Sequence, residues 1–167
     1  MKRWKYFLVT AGVVVLDQTT KLLTKGYMML SQSKEVLGDF LRYTYIENPG
    51  MAFGIRIGNR TLFTIFSVAA SVVIFAYLLR TRGDHKLVKW SLALILGGAI
   101  GNLIDRVLYG SVVDFIDVGI GDLRWPVFNV ADMAVSLGMM VLIVVILFEK
   151  KPAEDADPQG QTEPPLP

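Results

Sequence analysis

Two aspartates stand out in this sequence because no cationic residue adjoins either of them. Asp114 lies in Ser111-Val-Val-Asp114-Phe115, and Asp132 lies in Phe128-Asn-Val-Ala-Asp132. Two carboxylates in one site of low dielectric cannot both ionise cheaply, so they share a proton. Such a pair suits peptide hydrolysis, in which the ionised carboxylate takes a proton from water and the protonated one polarises the carbonyl. Paired aspartates could equally bind a cation or relay protons.

Further polar residues interrupt apolar stretches of the chain. An ionisable side chain at the middle of a membrane helix costs about 2.5–3.5 kcal/mol on insertion scales, so it needs a reason to be there. Asp17 and Lys21 are four residues apart and share a helical face, which predicts an ion pair. That pair could serve a functional site or could only neutralise two charges near the membrane interface.

A second polar group has the same helical spacing. Asn102, Asp105 and Arg106 follow the stretch 97–101, whose glycine and alanine residues permit close helix approach. The three side chains form one patch, which could be part of a site or a clasp between helices. Asn129 lies three residues before Asp132, so it could donate a hydrogen bond to that carboxylate or to a substrate backbone.

Composition excludes several other kinds of site. The chain has no cysteine, so disulfides and thiol catalysis are absent. Its one histidine, His85, lies in a polar connector and cannot form a zinc site of the usual ligand spacing. The net charge of +2 and the lack of a basic stripe among aromatic residues argue against a nucleic-acid partner. We expect no metal and no cofactor.

The elements that must position these residues are membrane spans. Of the 167 residues, 53% are hydrophobic, and the charged 19% are segregated from long apolar runs. About 20 apolar residues are needed to cross the hydrocarbon core. The sequence predicts an integral membrane all-α protein with four transmembrane helices, at about 6–23, 61–79, 90–108 and 127–148. The first resembles a signal peptide but lacks a small-x-small cleavage site, which favours an uncleaved helix.

Two segments outside these spans have different sequence patterns. Alternating polar and apolar residues, as in Leu41-Arg-Tyr-Thr-Tyr-Ile46 and Ile55-Arg-Ile57, predict a small extracytoplasmic antiparallel β element at about 34–59, between the first two spans. Residues 152–167 are acidic and proline-rich, which predicts a disordered cytoplasmic tail. Residues 1–151 then form a single membrane domain.

Orientation follows from the lysines and arginines near the span ends. With both termini cytoplasmic, the inner basic residues crowd into the short flanks 2–5, 80–89 and 150–151. The outer basic residues are nearly as numerous but spread over two longer segments, so charge density favours this orientation. Because the third and fourth spans are consecutive and antiparallel, Asp114 and Asp132 fall at the same outer face. If the fourth helix starts at Val127, Asp132 lies about 7–8 Å along the helix from that start, below the outer face.

Two other interpretations are weaker. Gly119-Ile-Gly-Asp122 spells the Gly-x-Gly-Asp of presenilin-type intramembrane proteases, but it lies in a polar loop beside Trp125-Pro126, where a turn is favoured. A small multi-span transporter or ion- or proton-relay protein could use the same carboxylates. Such a protein would more often show interrupted spans at mid-membrane, whereas the polar residues here gather at one face.

Five motifs together resemble the lipoprotein signal peptidase (signal peptidase II) family. They follow in order from the first span to the fourth and leave out only the tail. The motifs are Asp17-Gln-Thr-Thr-Lys21, Asn48-Pro-Gly50-Met-Ala-Phe53, Gly97-Gly-Ala-Ile-Gly-Asn102-Leu-Ile-Asp105-Arg106, Val112-Val-Asp114-Phe115 and Phe128-Asn129-Val-Ala131-Asp132.

The resemblance implies an activity and a site. Members of the family are aspartyl endopeptidases of the bacterial cytoplasmic (inner) membrane. They cut diacylglyceryl-modified prolipoproteins just before the lipidated cysteine, at the outer leaflet beneath an extracytoplasmic β cradle. The partners implied are the lipidated prolipoprotein and membrane lipid, without an obligate protein partner. Asp114 and Asp132 carry over as the catalytic pair. The residues that carry over as binding or shaping the site are Asp17, Lys21, Asn48, Gly50, Asn102, Asp105, Arg106, Asn129 and Ala131.

Overall fold

The computed structural model describes residues 3–49, 60–80 and 86–148, in which four helices and one sheet form. Gly50, the adjoining motif residues 51–53, the predicted strand at 55–57, His85 and the tail 152–167 lie outside the described residues. The helices are α1 (Trp4–Tyr27), α2 (Arg60–Arg80), α3 (Lys86–Leu108) and α4 (Val130–Phe148). The strands are β1 (Ser33–Leu37), β2 (Leu41–Asn48), β3 (Val112–Ile120) and β4 (Leu123–Arg124).

Three helices of the described part of the chain, α1, α3 and α4, are long and apolar enough to cross a membrane. Their surfaces carry many exposed large apolar side chains, such as Leu16 and Ile146, which suit contact with lipid rather than water. Residues Thr64–Arg80 of α2 form a shorter apolar stretch. The apolar runs in the sequence therefore predicted helices correctly, and three of them are confirmed as candidate spans.

Helix α3 is the centre of the bundle, since it packs against α1, α2 and α4. Its small residues make that packing possible, as the sequence predicted. A Cβ at Gly98 would overlap the carbonyl oxygen of Ala131 in α4, and one at Gly97 would lie 2.7 Å from the Cβ of Val13 in α1. The backbones of three helices can therefore approach closely around the polar residues of α3.

The four strands form one antiparallel sheet in the order β1-β2-β3-β4. In its central pairing Ile46 lies opposite Asp114 and Asn48 opposite Val112. The strand prediction at 34–59 is confirmed for β1 and β2, but it missed half of the sheet, which comes from the connection between α3 and α4. A two-stranded hairpin is marginal by itself, and the added strands supply the surface against which it packs.

The sheet has its own small core and is attached to α1. Tyr45, Val113 and Phe115 are buried together, and the rings of Tyr43 and Phe115 stack with centroids 5.0 Å apart. The Tyr43 hydroxyl lies 2.7 Å from the Thr24 hydroxyl at the end of α1. The position of Asp114 on β3 is therefore tied to the helices.

Candidate active site

The two aspartates occupy the end of a strand and the start of a helix. Asp114 is the third residue of β3, and Asp132 is the third residue of α4. The prediction that the fourth helix starts at Val127 was wrong. Residues before Val130 remain extended because Phe128 pairs with Ile116 of β3, so Asp132 lies in the first turn of α4.

Asn129 caps α4 and brings the two aspartates together. Its side-chain oxygen accepts a hydrogen bond from the backbone N–H of Asp132 at 2.9 Å, and its own backbone N–H donates to the Asp132 carboxylate at 3.3 Å. This reciprocal pair is a capping box. The side-chain nitrogen of Asn129 donates to Oδ1 of Asp114 at 2.6 Å. The spacing in the sequence allows Asn129 to bond to the Asp132 carboxylate or to a substrate backbone; in the structure its side-chain nitrogen donates to Asp114.

Asp114 is 2% exposed and accepts two hydrogen bonds. The second comes from the side-chain nitrogen of Asn48, 3.1 Å from Oδ2. Burial, and then the negative charge of Asp132, raise the pKa of Asp114 to about 7. The hydrogen bonds from Asn48 and Asn129 and the charge of Lys21 oppose that rise in pKa.

Asp132 accepts a hydrogen bond from the neighbouring helix α3. The side-chain nitrogen of Asn102 in α3 donates to its Oδ1 at 2.8 Å. The oxygen of the same amide accepts from Lys21 Nζ at 3.0 Å and from Asn129 Nδ2 at 3.1 Å. Lysine can only donate, so it fixes which way the Asn102 amide faces.

Lys21 is buried with two carboxylates. Its Nζ lies 2.9 Å from Asp17 Oδ2 and 3.2 Å from Asp105 Oδ2. The predicted Asp17–Lys21 ion pair is therefore confirmed, and the bond from Lys21 to Asn102 connects this pair with the residues around Asp132. The predicted patch on α3 is divided: Asn102 and Asp105 face Lys21, whereas Arg106 does not contact it.

A cavity of about 400 Å³ opens over both aspartates. Its polar lining includes Asn48, Asn102, Arg106 and Ser136. The guanidinium Nε of Arg106 is buried without a hydrogen-bond partner in the described part of the chain. The remaining lining residues are mostly apolar: Val112, Trp125, Pro126, Val127, Phe128, Met133 and Val135. The cavity thus combines an acid–base pair with a wall that suits apolar groups.

The backbone next to each aspartate is also held. Ala131 is fully buried, and its N–H donates to Asp17 Oδ1 at 2.9 Å. The N–H of Val113 donates to Asp105 Oδ2 at 3.0 Å. The structure thus brings together eight of the nine residues predicted to shape the site, and Gly50 is the one outside the described residues. Within the described ranges, no group of three or more His, Cys, Asp or Glu side chains could hold a metal ion.

Sequence reasoning missed two kinds of residue. Gln18 donates hydrogen bonds to both Asp17 and Asp105, at 3.2 and 3.0 Å. Its polar amide inside an apolar helix was a usable signal. The apolar residues from Trp125 to Phe128 gave no such signal in the sequence, because only the tertiary structure brings the segment before α4 over the cavity.

This arrangement matches known proteins over nearly the whole chain. Residues 9–148 match the family model described as signal peptidase (SPase) II. The lipoprotein signal peptidase of Syntrophus aciditrophicus is 42% identical over 152 residues, covering 87% of this chain and 94% of the relative. That of Halothermothrix orenii is 41% identical over 145 residues, covering 87% and 97%.

Solved structures agree with the sequence comparisons. A bacterial membrane enzyme determined by the in meso method at 2.3 Å resolution superposes with a TM-score of 0.78 and 31% identity, covering 96% of this chain and 94% of that one. A second, at 1.9 Å resolution, gives a TM-score of 0.77 and 33% identity, covering 87% and 94%. The architecture, the buried carboxylates and these matches lead to one conclusion: the chain belongs to the signal peptidase II family of aspartic-type membrane peptidases.

Proposed function

We propose that this protein removes the signal peptide from diacylglyceryl-modified prolipoproteins and that Asp114 and Asp132 perform the cleavage. The observation that carries the proposal is the cavity onto which both carboxylates open, since a general acid and a general base must reach the same substrate. Membership of the signal peptidase II family also indicates that this protein removes signal peptides.

The two carboxylates have different surroundings, which suggests how they divide the work. Asp114 is the proposed proton donor because its pKa is raised to about 7, so it keeps its proton up to about that pH. Asp132 lies in the first turn of α4, where the helix dipole favours a negative charge. Asp132 then removes a proton from water, whose oxygen attacks the scissile carbonyl, while Asp114 donates its proton to the carbonyl oxygen. When the tetrahedral intermediate collapses, the C–N bond breaks and the proton held by Asp132 passes to the leaving amine. Asp114 takes back a proton from a hydroxyl of the intermediate, so both carboxyl groups return to their starting states.

The apolar wall of the cavity supports a lipid-bearing substrate. Trp125, Phe128 and Met133 lie on the same cavity as the two aspartates. A cleavage site just before a lipidated cysteine would bring its acyl chains next to the scissile bond. Apolar side chains beside the aspartates let those chains stay in apolar surroundings while the scissile bond reaches the carboxylates, and a peptide without lipid lacks this anchor.

We also infer how the chain crosses the bacterial inner membrane. Strands β1 and β2 lie between α1 and α2 in the chain, and β3 and β4 lie between α3 and α4, whereas no strand of the described residues lies between α2 and α3. With α2 as a fourth span, the sheet and cavity lie on the outer side and both termini in the cytoplasm. In this proposal residues 1–151 form the single peptidase domain, and the acidic, proline-rich segment 152–167 lies on the cytoplasmic side.

Cleavage of purified precursors tests this proposal. The purified protein in detergent or vesicles should cut a diacylglyceryl-modified prolipoprotein and release its signal peptide. The same precursor without the lipid, the matched control, should be cut poorly or not at all. Equal cleavage of both forms would contradict the role of the lipid. Ion flux into vesicles without cleavage of either form would indicate a transporter instead.

A further inference from the structure

Two buried carboxylates that do not face the cavity hold the backbone beside the two that do. Asp105 accepts the N–H of Val113, the residue before Asp114. Asp17 accepts the N–H of Ala131, the residue before Asp132. Each of these bonds fixes a peptide group one residue away from a reacting carboxylate. The relative position of Asp17 and Asp105 therefore determines the spacing of the pair on the cavity.

Asp17 and Asp105 come from different helices, and two donors connect them. Lys21 Nζ contacts both carboxylates, at 2.9 and 3.2 Å. The side-chain nitrogen of Gln18 also contacts both, at 3.2 Å from Asp17 Oδ2 and 3.0 Å from Asp105 Oδ1, and lies 3.1 Å from the carbonyl oxygen of Gly101. Lys21 also donates to Asn102, which in turn donates to Asp132 of the pair on the cavity. The three contacts of the Gln18 amide are with Asp17, Asp105 and Gly101.

Charge explains why a neutral donor suits this position. Asp17 and Asp105 are 0% and 1% exposed, so their carboxylates lie in the protein interior, where Lys21 contacts both of them. A buried carboxylate with too few donors is costly, because its desolvation is not repaid. The Gln18 amide supplies hydrogen bonds to both carboxylates without adding a charge near Asp114 and Asp132.

We infer that Gln18 is a positioning residue for the Asp114–Asp132 pair and that it acts through Asp17 and Asp105. By holding those two carboxylates at one separation, it keeps the peptide groups of Val113 and Ala131 in place. The inference rests on the proposed catalytic roles of Asp114 and Asp132. Gln18 does not line the cavity, so its loss should affect the cleavage step rather than substrate binding.

Two substitutions of similar size test the donor role. Gln18→Met removes the hydrogen-bond donor, and Gln18→Glu keeps the shape but replaces the donor with a third carboxylate. We expect kcat to fall about tenfold for Gln18→Met and further for Gln18→Glu, with KM changed less than about twofold, since small misplacements of reacting groups are costly. If Gln18 only filled space, the isosteric Gln18→Glu would be the milder change, and that order would overturn the inference.

Controls separate positioning from folding and from the catalytic assignment. Thr19→Val changes an exposed neighbour on α1 and should leave kcat unchanged. Thermal unfolding of each variant reports its folded fraction. If Gln18→Met does not accumulate, Gln18→Asn, whose amide is one methylene shorter, should also lower kcat. If folded Gln18 variants keep the wild-type kcat and Asp114→Asn is inactive, the inference about Gln18 is refuted but the catalytic roles stand. If Asp114→Asn is itself active, the catalytic roles are refuted.

Discussion

At the scale of single residues, Asn129 joins the two halves of the proposed site. Its amide nitrogen donates to Asp114, while its amide oxygen and backbone N–H bond to Asp132. One side chain therefore sets the distance between a strand residue and a helix residue. Because the amide oxygen is occupied by the cap of α4, the nitrogen is left to face Asp114, and the two orientations of the amide are not equivalent.

The first prediction concerns the two aspartates. Asp114→Asn and Asp132→Asn keep the size of the side chain but prevent ionisation and proton exchange. Each should reduce the cleavage rate of lipidated precursor at least about 10²-fold, the low end for loss of a general acid or base. The double variant should be little worse than either single one, because groups that act as a unit are not additive.

The matched control for this prediction is Asp122→Asn. Asp122 lies in the exposed turn between β3 and β4 and should stay within severalfold of wild type. Asp117 is a poorer control because it lies on β3, is buried, and bonds to Arg124 and Thr44 at 2.7 and 2.8 Å. Near wild-type cleavage by folded Asp114→Asn or Asp132→Asn would disprove the assignment.

The second prediction concerns pH. The pKa of Asp114 is raised to about 7, so the carboxyl is protonated below that pH and loses its proton above it. If Asp114 is the acid, the cleavage rate should fall as the pH rises through about 7. The hydrogen bond from Asn48 lowers this pKa, so Asn48→Ala should raise it and move the alkaline limb of the rate profile to higher pH.

Ser111→Ala serves as the control for the pH experiment. The Ser111 hydroxyl donates to Glu47 at 3.2 Å and not to Asp114. Its removal should leave the alkaline limb where it is in the wild type. A rate that stays constant from below pH 7 to well above it would argue against Asp114 as the proton donor.

At the scale of elements, the sheet is assembled from two distant connections. Strands β1 and β2 follow α1, whereas β3 and β4 follow α3, and the β2–β3 pairing joins them beside Asp114. Asn48 reaches Asp114 across this pairing. The sheet thus brings residues from both connections to one cavity, with α4 supplying the remaining aspartate.

The third prediction concerns the contact of α1 with α3. A Cβ at Gly101 would lie 2.6 Å from Oδ2 of Asp17, which Lys21 and Gln18 hold in place. Gly101→Ala should therefore destabilise the protein by about 1–3 kcal/mol through overpacking and should reduce cleavage. Gly12→Ala, at a helical glycine with nothing within 4 Å, should not. Thermal unfolding in detergent compares the two, and equal behaviour would contradict the close contact.

At the scale of the whole molecule, the polar residues lie at one end of the helices. The site is formed by the C-terminal halves of α1 and α3, the start of α4 and the sheet. An enzyme built in this way can hold its charged groups near the membrane interface while its helices stay in lipid. In the proposed topology the cavity and the strands share one side of the membrane.

The fourth prediction tests that topology. The chain contains no cysteine, so single-cysteine variants can be labelled without background. A cysteine at Ser33, an exposed residue at the start of β1, should react with a membrane-impermeant thiol reagent in intact cells. A cysteine at His85, between α2 and α3, should react only after the membrane is permeabilised. The reverse pattern would place the cavity on the cytoplasmic side.

The sequence by itself determined the apolar helices, the first half of the sheet and most of the polar residues that the structure gathers around the two aspartates. Apolar runs and alternating polar and apolar residues are local patterns that can be read directly from the sequence. A charged side chain in a membrane helix costs enough free energy that its presence indicates a functional or structural role. The Asp17–Lys21 pair was predictable for the same reason, because residues four apart on a helix meet whatever surrounds them.

Only the tertiary structure decided which partner each polar group takes. The sequence could not show that Asn129 donates to Asp114, that Gln18 bridges two helices or that β3 completes the sheet, because those partners are far apart along the chain. The start of α4 depended on them as well, since pairing with β3 keeps Phe128 extended and delays the helix to Val130. Buried donors and acceptors must all find partners, and that requirement is met in three dimensions rather than in sequence order.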